Sequence, residues 1–496
     1  MNLTTDNWIP VVWKDGRADK VSLLDVFQQG DQIRDLAVRP HERIALMRLL
    51  ICIAQSALDG PKDRDEWKKC WERLPQTAAE YLANWKPAFE LFGDGQRFLQ
   101  TRKLKSVRVA DDAKDNLVSK LDMALATGNA STLFDNGGGS QRIFSEANLA
   151  LMLLTYQNFS PCGIIGAVSW SDLIVPKGTA KHAPCTVGNT LHTIIIKTSL
   201  LRTVIANMIT REQIVLIGQE WGCPIWQKMP SKQDDHEAST NATNTYLGRL
   251  CPLSRLVLLD ESKSAVVLGT GLVFPEWREA MATFIFKKEK KERRPMRGST
   301  ERAIWRELHA ITVLDKDGIG GPLAFSNLEQ GENIDIWMCA LVAEGNASIA
   351  DLIESVFSVP TQMFDSQGRL IYQQGVRISR NRERQVKDAV KTYCKSLGIR
   401  NVSNKATSHY WTVIEQKVSL LLALVEDPAP LSSESIKDNW GATEWGIALA
   451  RAARDAYELA CPHETPRQLK AYSLGLNVFY KPVETETNEP VTEEID

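Results

Sequence analysis

Thr127-Gly128-Asn129-Ala130-Ser131-Thr132-Leu133-Phe134-Asp135-Asn136-Gly137-Gly138-Gly139-Ser140 opens a stretch that runs on to Gly166, and the rest of the chain reads outward from it. So dense a run of Gly, Asn, Asp and Ser is incompatible with a regular element. Glycine opens positive φ, and short polar side chains compete with the backbone for hydrogen bonds. Directly after it, Ser145 is placed to cap a helix with Glu146 in its first turn. Leu149, Leu151, Met152, Leu153, Leu154 and Tyr156 make that helix apolar on most of its surface, which predicts a buried helix. The chain leaves it through Ser160-Pro161-Cys162-Gly163-Ile164-Ile165-Gly166. The stretch thus predicts a rigid post in the core carrying a polar loop before it and a glycine turn after it, and loops on rigid elements are where binding residues concentrate.

Toward the N-terminus, Trp8 to Trp13 followed by Lys14-Asp15-Gly16-Arg17 predicts a strand entering a tight turn. Ser22 and Asp25 bracket the first turn of a short helix through Phe27. Pro40 and Gly60 bound a strongly apolar helix, and Trp67 to Trp85 has helical spacing. Arg97 to Thr101 is a short strand or loop, and residues 112–126 are expected to form an amphipathic helix leading into the organising stretch.

Toward the C-terminus, His192 to Lys197 predicts a β-branched strand and Leu200 to Ile209 a helix. Residues 222–244, rich in Ser, Thr, Asp and Asn, predict a long, partly disordered surface excursion. Strands are expected at Arg255 to Leu259, Ala265 to Leu268 and Ile334 to Val342. The run from Ile349 to Val359 satisfies both helix and strand templates. Beyond about Gln374 four amphipathic segments follow, marked by Val386 to Tyr393, Trp411 to Leu422, Trp440 to Ala456 and Leu469 to Leu476. Each supplies one apolar stripe to a shared core. The fold class is α+β: a large mixed α/β N-terminal domain over 1–370, a C-terminal four-helix bundle over 371–482, and an acidic tail over 483–496 too poor in apolar residues to fold.

Composition excludes several classes. The 496 residues are 43% hydrophobic and 24% charged, ordinary globular values that exclude a mainly disordered chain. A formal charge of -2 offers no bulk attraction to a polyanion, so any nucleic-acid binding must come from local patches. The nine cysteines include no C-x-x-C pair, which argues against a zinc ribbon or a disulfide framework. The start lacks the features of a signal peptide, and the most apolar helix, Ile44 to Leu58, is too short to span a bilayer, so a cytoplasmic protein is expected.

Catalytic signatures are missing: there is no phosphate loop, no H-E-x-x-H, no G-x-S-x-G and no G-x-G-x-x-G between a strand and a helix. No cofactor or metal is expected. Charge is concentrated instead at Lys287-Lys288-Glu289-Lys290-Lys291-Glu292-Arg293-Arg294-Pro295-Met296-Arg297, which reads either as a phosphate-bracketing patch or as a solvated loop. Arg380, Arg384, Lys387, Lys391 and Lys395 fall three or four apart and so share one helical face, either a strand-holding surface or an ordinary solvated one. Gly345-Asn346-Ala347 reads as a hairpin tip, either a plain turn or a point slim enough for a narrow groove.

Asn2-Leu3 with Asp6 to Val11, Phe98-Leu99-Gln100-Thr101, Ala126 to Asn129 with Leu133 to Asn136, and Ala303-Ile304-Trp305-Arg306-Glu307-Leu308 together resemble the large-subunit family of the type I-E CRISPR surveillance complex, Cascade. The resemblance runs over nearly the whole chain. It implies a non-catalytic subunit that inspects the protospacer-adjacent motif in double-stranded DNA, helps start strand separation and presents the site to a helicase-nuclease. The implied partners are target DNA, the CRISPR RNA 5′ handle and other Cascade subunits, with no membrane. By position, Leu133, Phe134, Asp135 and Asn136 resemble the loop anchoring the subunit to the 5′ handle. Gly163 and Gly166 fall at a glycine loop against the minor groove, Lys287 or Lys288 at a lysine finger, and Gly345, Asn346 and Ala347 at a wedge that splits the first base pairs. Arg380, Arg384, Lys387 and Lys391 suit a displaced strand. The glycine loop is poorer in glycine than the family pattern, Asn346 stands where some relatives carry glutamine, and the cysteine-based zinc site of some relatives is absent. A hydrolase or transferase with a spatially assembled site, and a scaffold that binds only protein, are the alternatives from other classes.

Overall fold

The computed structural model describes residues 1–107, 116–123, 125, 142–160, 163–179, 183–185, 188–287, 292–314, 320–329, 331, 333–344, 348–431 and 439–480. Strands β1 (Ile9–Trp13), β2 (Ala18–Val21) and β3 (Ile33–Leu36) form an antiparallel sheet in the order β2-β1-β3. Helix α1 (Leu23–Gln28) is closed by a capping box in which Ser22 and Asp25 satisfy each other's backbone N–H. Helices α2 (Pro40–Leu58) and α3 (Arg64–Trp85) follow, α2 starting at its proline and stopping at Asp59, whose φ of 50° ends the helical run. Short strands β4 (Leu104–Ser106) and β5 (Asn116–Leu117) precede α4 (Glu146–Phe159), the expected post, in which Ser145 accepts a hydrogen bond from the Asn148 N–H and Leu149 to Phe159 are all buried.

Past α4 come β6 (Ile164–Ile165), β7 (Val168–Trp170), β8 (Leu173–Val175), β9 (Gly178–Thr179) and β10 (His192–Ile196). Helices α5 (Leu200–Ala206), α6 (Arg211–Leu216), α7 (His236–Asn244) and α8 (Tyr246–Leu250) lead to β11 (Arg255–Leu259) and β12 (Ala265–Thr270). Then follow β13 (Phe284–Lys287), β14 (Glu292–Pro295), α9 (Leu308–Ile311), β15 (Ile334–Glu344) and β16 (Ser348–Val359). The C-terminal region is helical: α10 (Ser366–Leu397), α11 (Ser403–Glu415), α12 (Val418–Glu426), α13 (Glu444–Ala460) and α14 (Pro466–Leu476). Among the described residues, no helix is long and apolar enough to cross a membrane. The expected acidic tail lies outside the described residues.

Three expectations are corrected. Instead of a helix over 112–126, the described part of that segment is β5 followed by a 3-10 turn at Val118–Leu121. Pairing of Asn116 and Leu117 with Val266 and Ala265 of β12 overrides the local helical spacing. Residues 222–244 are not a surface excursion: Ile225, Trp226, Ala238 and Ala242 are buried and α7 is regular. The polar residues there are structural, since Asn241 accepts from the Cys223 N–H at 3.0 Å and donates to its carbonyl at 2.9 Å. The segment from Trp411 to Leu422 is two helices, broken where the Lys417 N–H turns back to the Ile414 carbonyl. The ambiguous run after Ile349 is strand β16, paired along nearly its full length with β15.

One hydrophobic core runs from Leu3 to Tyr372 and on through Trp445 into the helical region. The joint is aromatic. Trp305 packs edge-on to Trp445 at 6.0 Å, and its carbonyl accepts from the Tyr372 hydroxyl at 2.7 Å. Inside the N-terminal part lies a buried ionic trio. Glu279 accepts from Arg48 Nη1 at 3.2 Å and from Arg249 Nε and Nη2 at 2.9 and 2.7 Å.

Two buried histidines make the fold sensitive to acid. Burial first, then the nearby guanidinium of Arg39, pushes His41 down to about 4, and burial with Arg48 does the same to His192. Above about pH 6.5 both rings are neutral whether the chain is folded or not. As pH falls from there the unfolded chain takes protons first, so stability declines until about pH 4, by at most about 3 kcal/mol per ring. Urea denaturation between pH 7 and 4 is expected to show that decline, with a shallower slope in His41→Gln. Equal slopes in the two proteins would mean that His41 is not held neutral.

Candidate nucleic-acid interface

The glycine turn after α4 is fixed from below. Gln157, buried near the end of α4, donates to the carbonyls of Leu99 at 3.2 Å and Arg255 at 3.0 Å and accepts from the Arg255 N–H at 3.0 Å. Arg255, fully buried at the start of β11, reaches back through Nε to the Ser160 hydroxyl at 2.7 Å and through Nη2 to the Gly163 carbonyl at 2.9 Å. A buried guanidinium needs such acceptors, and here two of them belong to the turn. The turn itself faces outward. Ile164 is 76% exposed, and Gly166 has open space where a Cβ would stand. Gly163 is therefore held by its backbone, whereas no described residue outside the turn crowds Gly166 into being glycine.

The described ends of the basic run lie in paired strands. β13 and β14 pair from Phe284↔Pro295 to Lys287↔Glu292, with Phe286 exposed and Arg293 exposed beside it. Lys287 closes the described part of the first arm, and Lys288 lies outside the described residues.

The longer hairpin, β15 with β16, is rooted in the same place. β10 pairs with β15 from His192↔Cys339 to Ile196↔Asp335, giving the order β10-β15-β16. On the other edge of the chain entering β10, the Leu191 N–H bonds the Met296 carbonyl and the Gly298 N–H bonds the Asn189 carbonyl, both at 2.9 Å. The strand leaving the basic hairpin is thus hydrogen-bonded into the layer that carries the long hairpin. The arms of the long hairpin stay paired to Glu344↔Ser348, and Gly345, Asn346 and Ala347, which join them, lie outside the described residues. So do Leu133, Phe134, Asp135 and Asn136.

On α10, Arg384, Lys387 and Lys391 are exposed along one face, Lys387 pairing with Glu383 at 2.8 Å. Arg380 departs from the expected open face. It is half-buried at the joint with the N-terminal part, 4.0 Å from Glu307, and burial followed by the neighbouring Arg302 pushes its guanidinium down to about 10. One turn of sequence periodicity cannot reveal this, because Glu307 and Arg302 come from another part of the chain. Beside it Arg306 lies 3.5 Å over the Trp411 ring and is likewise pushed down to about 10 by burial and by Arg380.

The residues missed by sequence reasoning are Gln157, Ser160, Arg255, Asn189 and Gly298. A lone arginine opening an apolar strand, as Arg255 does, is the one local signal that a buried charge needs partners; a Gly-Asn pair before a β-branched strand, as at Gly188-Asn189, marks a turn with positive φ. Of the described thiols, Cys185 is buried and pushed up to about 12 by that burial. Among the described residues, no cluster of three or more His, Cys, Asp or Glu side chains is placed to hold a metal ion.

A family model described as CRISPR-associated protein Cse1 matches residues 2–456. Among curated proteins, the CRISPR-associated protein CasA/Cse1 of Thermus thermophilus is 28% identical over 360 residues, which is 67% of this chain. The chain spans 63% of the length of that relative. Among solved structures, Thermobifida fusca Cse1 superposes with a TM-score of 0.78 at 20% identity, covering 96% of both chains. Thermus thermophilus CasA (Cse1) gives 0.76 at 21% identity, over 97% of this chain and 98% of the other. A chain of a structure described as a CRISPR RNA-guided surveillance complex gives 0.73 at 16% identity, over 97% and 99%.

Proposed function

This chain belongs to the CRISPR-associated Cse1 family, the large subunit of type I-E Cascade, and from that membership we propose that it is the non-catalytic, motif-inspecting subunit of an RNA-guided surveillance complex. In this reading it contacts the protospacer-adjacent motif in duplex DNA from the minor groove, helps to open the first base pairs and hands the site to a helicase-nuclease. Pairing with the guide reads the remaining sequence. The loop Leu133 to Asn136 would anchor the chain to the guide RNA 5′ handle and neighbouring subunits.

The observation that carries the reading is the common root of the two hairpins. The paired arms of the basic ribbon and of the long one are hydrogen-bonded into a single layer, which supports a reading in which a lysine and a wedge act on a duplex together. The minor groove presents a degenerate donor and acceptor pattern, and a few small residues and lysines there suit several related motifs rather than one. Unstacking a step costs a few kcal/mol, which phosphate contacts from the basic hairpin and from the exposed face of Arg384, Lys387 and Lys391 would offset. A near-neutral chain suffices for this because the grip is local.

The test is selection from a duplex library with a randomised flank, using the assembled particle with and without this chain. Enrichment of a short flanking motif only when the chain is present is the expected result. Identical selection by both particles would overturn the proposal.

A further inference from the structure

We propose that Asn189 is a positioning residue that aims the tip of the long hairpin by tying it to the basic hairpin, an inference that rests on the wedge reading above. Three observations meet at this residue. First, the β15–β16 ladder changes register just below the tip: Val342 faces Asp351 but Ala343 faces Ile349, so Ala350 is an extra residue on β16. A bulge of this kind bends and twists a ribbon and re-aims what lies beyond it.

Second, β10 has already ended where the bulge occurs, and the open edge of β15 is closed by a side chain. Asn189 Oδ1 accepts the Ala343 N–H at 2.9 Å. Asn189 reaches that position with φ of 62°, a left-handed conformation that asparagine tolerates better than most residues, and Gly188 before it has φ of 57°. The same residue's carbonyl accepts the Gly298 N–H at 2.9 Å. One residue thus holds the arm opposite the bulge of one hairpin with its side chain and the outgoing arm of the other with its backbone.

Third, the two arms are in close approach at that level. A Cβ built on Gly298 would stand 2.4 Å from the Ala340 Cβ, so only glycine lets the segment after the basic hairpin lie against β15 there. The bulge supplies a bend, and Asn189 with Gly298 fixes its direction relative to the lysines. Without the tie, the bend remains while its direction is free. A wedge whose direction wanders meets the base pairs in fewer productive poses, so opening slows while simple duplex contact is spared.

The experiment compares Asn189→Gly, Asn189→Asp, Gly298→Ala and Asn346→Ala in the fully assembled particle. Each is measured with an intact target duplex and with one already mismatched over the first base pairs, 2-aminopurine fluorescence reporting opening. Asn189→Gly keeps the positive φ and the backbone bond but removes the side-chain acceptor, and Asn189→Asp restores an acceptor. The expected result is opening of the intact duplex slowed about tenfold by Asn189→Gly and by Gly298→Ala. The mismatched duplex should be bound as by the unaltered particle, and Asn189→Asp should be close to normal. If Asn189→Gly opens the intact duplex at the normal rate while Asn346→Ala slows it, the positioning role is overturned and the wedge reading stands. If Asn346→Ala has no effect either, both fall. Equal impairment of Asn189→Gly on the two duplexes would mark a merely structural role and also overturn the proposal.

Discussion

Replacing Glu279 with glutamine is expected to lower the unfolding free energy by about 3–5 kcal/mol, a large effect for a change of one atom. Burial alone would raise the Glu279 carboxyl, but the guanidiniums of Arg249 and Arg48 hold it below its ordinary value, so it is charged in the folded chain. Both arginines are buried as deeply as any side chain in the protein. Further N–H groups go to main-chain carbonyls: Arg48 bonds those of Arg249 and Leu250, and Arg249 that of Thr243. Glutamine leaves two buried cations without a counter-charge and points an N–H₂ at donors. The trio joins α2, α8 and the segment before β13, so its loss loosens the base from which both hairpins rise. Urea denaturation of the purified chain measures the effect. A loss under about 1 kcal/mol would show that the two guanidiniums are compensated by something other than this carboxylate.

Replacing Lys287 and Lys288 together with alanine is expected to flatten the dependence of log affinity on log salt by about two units, one for each phosphate that the lysines no longer neutralise. At moderate ionic strength, target affinity falls by about tenfold or more, since each such ion pair is worth roughly half a decade between low and physiological salt. The weakening should be nearly the same for every motif in a flank library, because phosphates carry position rather than sequence. Titration of the assembled particle at a series of salt concentrations measures it. An unchanged slope would remove the basic hairpin from the DNA interface whatever its effect on affinity at one salt concentration. This outcome is independent of Glu279, which acts on the whole fold.

What the sequence discloses and what it conceals divide along locality. The bounds of α2 are legible from Pro40 and Gly60, and α1 from Ser22 and Asp25, because caps are local chemistry. The post α4, the β11–β12 pair and the helical C-terminal region follow from apolar periodicity, which also survives without knowledge of the partners. Helix α7 is hidden because its buried polar residues, Asn241 and Thr243, look like loop residues until their backbone partners are known. Strand β16 is hidden because Leu352-Ile353 and Val356-Phe357 place apolar residues side by side and blur the alternation. Of the site, the resemblance supplied the loop, finger and tip positions, but neither composition nor spacing shows what holds them. Arg255 is 92 residues from Gly163 and Asn189 is 154 from Ala343, and no window along the chain contains both ends of either bond.

Strands β4, β7 and β8 pack over a small apolar cluster of their own, made by Leu104, Val168, Trp170, Val175 and Leu256 and separate from the main core. Five side chains are a thin anchorage, and hydrogen-bonded units of that size open at a free energy well below that of the whole molecule. The strands next to the exposed glycine turn therefore form a yielding flank, and Arg255, at the start of β11, pins the turn itself through the Gly163 carbonyl. In the proposed reading, this side would give to a duplex of imperfect width, while the side carrying the two hairpins would keep its shape and supply the discrimination.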